Sequence, residues 1–254
     1  MIRGLLKNKK SLQGKDFVLR GEAQTRIETL SDAVFAIAIA LLVLSSSVPE
    51  RYDELLLSMQ DIIPFGVCIT LLMLIWYQHF IFFIRYGLQD AKTVVLNTLL
   101  LFLILFYVYP LKFLFKVLYK LFYALFTQDR TVSKELFTVT IKPEDAPNLM
   151  IIYGIGASLI FLVLALMYWY ALSKSPFLKL NPREVFETKT SIYNNLLMGA
   201  VPLLSALVAF VGIGNTGTTF TLSGITYWLY MVIMPLFSFM RERARRKKWN
   251  TGGK

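Results

Sequence analysis

The polar side chains that matter in this 254-residue chain are those that interrupt or border its long apolar runs. Arg26 precedes a Ser31-Asp32 pair that opens directly onto "AVFAIAIALLVL"; Trp76 and His79 stand three apart in a second run; Asn97 comes early in a third. Together they offer a carboxylate, an imidazole, an amide, an indole N–H and a hydroxyl. Such groups bond to one another well and, inside membranes, often serve protons or cations. They do not assemble a reaction, because one Asp and one His without a nucleophile or metal set support no definite catalysis. His79 is the lone histidine, which leaves no multi-histidine metal cluster. Cys68 is the lone cysteine and has no partner, so an intrachain disulfide and a cysteine metal site are excluded. No enzyme and no cofactor is expected.

The elements that hold these residues follow from composition. With 56% hydrophobic residues, 17% charged and a mean hydropathy of +0.57, the chain reads as an all-α integral membrane protein. A span needs about 20 mostly apolar residues. Six runs qualify: Thr29–Ser47, Ile62–Ile84, Thr93–Leu111, Leu149–Leu172, Ile192–Val211 and Phe220–Met240. The last five hold no Asp, Glu, Lys or Arg, and the first holds Asp32 alone. A cleaved signal peptide competes for the first run, since Ala33–Leu44 is a short apolar core followed by serines. Glu28 and Asp32 beside that core, and five further spans, favour a retained helix. Seven Lys and Arg residues precede Asp32 and seven more run from Arg241 to the end, which places both termini in the cytoplasm. A single six-helix unit over residues 1–254 is expected, with a cytoplasmic 1–28 and a basic cytoplasmic tail at 241–254. The net charge of +11 is concentrated at the ends and between the runs, where it suits lipid headgroups and not nucleic acid.

Orientation then sets depth. Asp32 enters near the cytoplasmic end of the first span, His79 lies six residues before Arg85 in the second, and Asn97 five after Lys92 in the third. At roughly 1.5 Å per residue all three fall in one inner layer. The expectation is a buried hydrogen-bonded cluster of Ser31, Asp32, Trp76, His79 and Asn97, with Arg26 one to two turns below Asp32, locking three helices together. On the first helix Ile37, Leu41 and Leu44, spaced i, i+4, i+7, share a face with Ala33 and Ala40. That stripe fits close helix packing as well as a pore.

Three further features are less specific. Lys112, Lys116 and Lys120 share one face of a helix that continues past the third span, a face expected to snorkel at the interface. Residues 127–147 read as an external polar loop. "GIGNTG" at Gly212–Gly217 matches a dinucleotide pattern by letter alone, without a preceding strand, and reads as an external turn.

Arg26, Ser31-Asp32 and the apolar run that follows resemble the R-x-x-x-F-S-D signature helix of the endosomal and lysosomal potassium channel family, in its prokaryotic six-helix form. Trp76-x-x-His79, Asn97 and Pro110 are similar to that family's second and third helices. The resemblance covers residues 26–110. It implies a non-P-loop cation channel, and no T-V-G-Y-G filter stands in this chain. It further implies a homotetramer in a prokaryotic plasma membrane, with first helices around the pore and Ile37, Leu41 and Leu44 as its constriction. Arg26, Ser31, Asp32, Trp76, His79 and Asn97 map to the family's structural network. Leu30 replaces the signature phenylalanine, and Ala40 stands where members often carry a threonine implicated in selectivity. The implied function is passive conduction of K+ and other monovalent cations, with weakened K+/Na+ discrimination. From the residues alone, a secondary transporter or proton pathway using Asp32 and His79, and a non-transporting scaffold, remain open.

Overall fold

The computed structural model describes residues 17–44, 49–127, 140–142 and 144–249, and nearly all of them are helical. The helices are α1 (Arg26–Leu44), α2 (Tyr52–Gln60), α3 (Ile62–Tyr86), α4 (Ala91–Thr127), α5 (Ala146–Ser173), α6 (Ser175–Leu178), α7 (Pro182–Val211), α8 (Thr216–Ile225) and α9 (Leu229–Trp249). One 3₁₀ turn, Thr226–Trp228, joins α8 to α9. Six stretches are long and apolar enough to cross a membrane: α1, α3, Ala91–Leu121 of α4, α5, α7 and the α8–α9 pair. This is a six-helix, multi-pass membrane protein. All six expected spans are present; the last five are carried further than hydropathy alone marks them, and the first starts earlier, at Arg26, with its described part ending at Leu44. Helical hydrogen bonding continues where apolar composition stops, because the interface still penalises unpaired backbone groups.

Local signals set several ends. α3 stops at Gly87, whose φ of 59° is the left-handed conformation that closes a helix. α7 starts at a capping box: Asn181 accepts from the backbone of Arg183 and Glu184, while Glu184 accepts from the Asn181 N–H. Between α7 and α8, Gly212 and Gly214 take φ values of 70° and 82°, so "GIGNTG" is a turn. α2, in the connection after the first span, exposes Tyr52, Leu55, Leu56 and Met59. Most of the polar loop expected at 127–147 lies outside the described residues.

The helices pack in two groups. α1, α3 and α4 share one core cluster, to which α5 also contributes through Ile160, Leu164 and Met167. α5 and α7 form the most extensive helix pair, and small residues make it possible. Ser158 Oγ donates to the Gly199 carbonyl at 2.8 Å, an approach that a large side chain in the seam would prevent.

Gly154 sits at the tightest backbone contact of that pair: a Cβ there would lie 2.5 Å from the Pro202 carbonyl oxygen and 2.8 Å from Ala206 Cβ. Gly154→Leu should therefore lower the melting temperature measured in detergent, by an amount equivalent to roughly 1–3 kcal/mol. Gly66→Ala, in α3 with nothing within 4 Å, should leave it unchanged or slightly raised.

Candidate functional site

α1 begins in a polar frame. The Thr25 backbone N–H and hydroxyl donate to Glu28 Oε1 at 3.2 and 3.1 Å, and the Glu28 N–H donates back to Thr25 Oγ1 at 3.2 Å. This is a capping box. It accounts for a carboxylate, only 4% exposed, directly before an apolar run.

One turn higher lies a buried hydrogen-bond chain through three helices. His79 Nε2 of α3 bonds Asn97 Oδ1 of α4 at 2.7 Å. The Asn97 amide N–H donates to Ser31 Oγ of α1 at 2.9 Å, and the Ser31 hydroxyl donates to the Ile27 carbonyl at 2.8 Å. Because the Asn97 amide gives its N–H to serine, its carbonyl faces histidine, and the proton of that bond sits on His79 Nε2. Ser31, His79 and Asn97 are all buried, with Phe35 and Phe83 against the imidazole. Each link satisfies a group that has no water to turn to.

Asp32 stands apart from this chain. Its carboxylate accepts from Trp76 Nε1 at 2.8 Å and from Gln24 Nε2 at 3.0 Å, in a half-buried position. The single cluster expected from depth is thus two links, one buried (Ser31, Asn97, His79) and one at the rim (Asp32, Trp76, Gln24). Among the described residues no hydrogen bond connects Asp32 to His79. Arg26 belongs to neither link: it is exposed, because five residues before Ser31 on a helix of 3.6 per turn it points well away from the buried face. Gln24 was not anticipated, since nothing in its type sets it apart from other polar residues ahead of a span.

The two sides of α1 differ sharply. Glu28, Ser31, Phe35, Ala38 and Leu42, at spacings of three and four, form the buried side. Ile37, Leu41 and Leu44 are 53%, 40% and 75% exposed, and Ala33, Ala36 and Ala40 lie exposed with them. Among the described residues no helix covers them.

The far end of α1 is met by α4. Lys112 Nζ donates to the Leu42 carbonyl at 2.7 Å and is 7% exposed, and Lys116 forms an ion pair with Asp61. The expected snorkelling face is therefore corrected at Lys112, which turns inward because a carbonyl acceptor at the negative end of the α1 dipole is within reach, whereas the Lys116 side chain stays 40% exposed at its ion pair.

A family model described as the endosomal/lysosomal potassium channel TMEM175 matches residues 26–107, within the stretch that carried the resemblance. The chain is 47% identical over 232 residues to a protein named potassium channel from Marivirga tractuosa, covering 91% of this chain and 93% of that one. It is similar to the crystal structure of the potassium channel MtTMEM175, solved as a threonine-to-alanine variant with a nanobody–MBP fusion. The TM-score is 0.80 at 48% identity, over 91% of this chain and 98% of the other. A lysosomal potassium-selective TMEM175 homologue from Chamaesiphon minutus shares the fold at a TM-score of 0.53 and 20% identity, over 85% of this chain and 96% of its own.

Asn97→Leu removes two bonds and strands the His79 N–H, so it should destabilise the protein by roughly 1–3 kcal/mol. His79→Phe combined with Asn97→Leu removes donor and acceptor together. In a double-mutant cycle of detergent melts the pair should cost less than the sum of the singles. Strict additivity would mean the bond contributes nothing.

Proposed function

The chain belongs to the endosomal/lysosomal potassium channel family, and is a channel-family protein rather than an enzyme; from that premise we propose a passive, potassium-conducting channel assembled as a homotetramer in a prokaryotic plasma membrane. The observation that carries the reading is the exposed aliphatic stripe of α1. That helix is pinned on one side by Ser31, Phe35, Ala38 and Leu42, so the other side, with Ile37, Ala40, Leu41 and Leu44, is free to meet copies of itself around an axis. The exposed alanines leave room for neighbouring α1 helices to approach closely. Rings of isoleucine and leucine constrict the path and gate it by dewetting, without a charged ring or a carbonyl filter.

Selectivity in this arrangement rests on constriction width and partial dehydration. Ala40 presents a methyl group where family members often present a hydroxyl, so it offers a partly dehydrated cation no oxygen. K+/Na+ discrimination is weaker as a result. The buried Ser31–Asn97–His79 chain is structural in this reading: it ends on the Ile27 backbone carbonyl and does not run on to Asp32, which supports a scaffold for helix rotation rather than a proton route.

The test is conductance of purified protein in planar bilayers under a K+/Na+ bi-ionic gradient. Ile37→Ser and Leu41→Ser should each raise conductance several-fold by wetting the constriction; unchanged flux in well-folded variants would sink the pore assignment. Ala40→Thr should shift the reversal potential toward the K+ equilibrium value, and no shift would separate selectivity from that position.

A further inference from the structure

A cavity of about 440 Å³ opens between α3, α5, α7 and α9, toward the end of the spans where α3 stops and α7 begins. It follows α3 from Tyr77 to Arg85, α7 from Phe186 to Asn195 and α9 from Phe237 to Arg245, a length of roughly 12 Å along each helix. Such a slot is long enough for an extended headgroup.

Its charges are unevenly satisfied. Arg245 is shared between Glu242 at 2.7 Å and Glu187 at 3.9 Å, and Glu242 also accepts from Arg246 at 2.9 Å. The two carboxylates in the lining are therefore already held by arginines. Arg85 and Arg241 are not paired in this way. Arg85 donates to Ser191 Oγ at 3.3 Å and lies over the Phe17 ring. Arg241 donates to Thr190 Oγ1 and the Phe186 carbonyl and lies 4.2 Å over the Phe186 ring. Among the described residues neither meets a carboxylate. Two guanidiniums held in place by hydroxyls and aromatic faces, with no carboxylate partner among the described residues, are prepared for phosphate oxygens.

The opposite end of the slot adds a second requirement. Asn195 is 1% exposed, its amide N–H donates to the Ser191 carbonyl at 2.9 Å, and its Oδ1 is buried with no hydrogen-bond partner. The N–H bond fixes the amide orientation, so the orphan is an acceptor. A buried acceptor left unmet is unfavourable; an O–H or N–H donor entering the slot satisfies it.

We propose that this cavity binds a phosphate ester bearing a hydroxyl or ammonium donor, its phosphate on Arg85 and Arg241 and its donor directed to Asn195. An anionic membrane phospholipid and a soluble phosphate share this chemistry, and the position at the membrane end of three spans makes the lipid the better-placed source.

The full-length protein, stripped of lipid in detergent, is offered phosphatidylglycerol, phosphatidylcholine or inorganic phosphate, and is followed by native mass spectrometry and thermal melting. Phosphatidylglycerol should be retained and should raise the melting temperature. Phosphatidylcholine, with no net charge and no donor, should do neither. Arg85→Gln with Arg241→Gln should weaken phosphatidylglycerol retention about tenfold or more, the loss of charge-assisted contacts. Stabilisation by inorganic phosphate, lost in the same double variant, would assign the site to a soluble ligand. Equal retention of the two lipids, or retention unchanged in the double variant, overturns the proposal. Should the double variant fail to fold, the wild-type preference between the lipids decides it: no preference, together with no effect of phosphate, leaves no such site.

Discussion

A polar side chain inside a bilayer has no water to bond with, so each one must find a partner within the protein, and that partner fixes geometry. The Ser31–Asn97–His79 chain is where this constraint acts on α1. Ser31 can meet the Asn97 amide only when the face that also carries Phe35, Ala38 and Leu42 turns inward. The rotation of the first helix, and with it everything its other face does, hangs on that bond.

The helix is held at its two ends as well as near its base. Below, the Thr25–Glu28 capping box closes the first turn, and the preceding segment is tied down by Arg20. That arginine grips Glu184 of α7 with two nitrogens at 2.9 Å, while the Arg20 and Gly21 N–H groups reach the Ile84 carbonyl of α3. Above, Lys112 donates to the Leu42 carbonyl. The pairs differ in chemistry but act alike, since each supplies a partner where helical bonding alone leaves polar groups exposed to an apolar surround. A helix held in this way by α4 along its buried side can present an aliphatic stripe on the opposite side that the described helices leave uncovered.

The second helix group has a different role. α5 and α7 pack backbone to backbone through Gly154, Ser158 and Gly199, which makes a stiff pair against which α4 is seated. The α8–α9 span is largely exposed by comparison, and its loose packing against α7 leaves room for the arginine-lined slot. Close packing by small residues excludes everything else from a seam, whereas packing through long side chains leaves volume and unmatched charge beside it.

The sequence by itself determined the number of spans, their order, the shared level of Asp32, His79 and Asn97 along the first three of them, and the family over residues 26–110. These are sums and offsets along one dimension: an apolar run long enough to cross, a charge count, a fixed rise per residue. It did not determine which of the polar residues would pair. Ser31 and Asp32 are neighbours in the chain, yet about 100° apart on the helix, so one joins the buried chain and the other the rim, while Arg26 turns outward. Nor could it show that Lys112 turns inward, because a lysine near a span end reads as snorkelling until an acceptor such as the Leu42 carbonyl is known to be close. Those outcomes belong to the tertiary structure, because rotation about a helix axis is decided by which neighbour supplies the missing partner, and that neighbour lies far away in sequence.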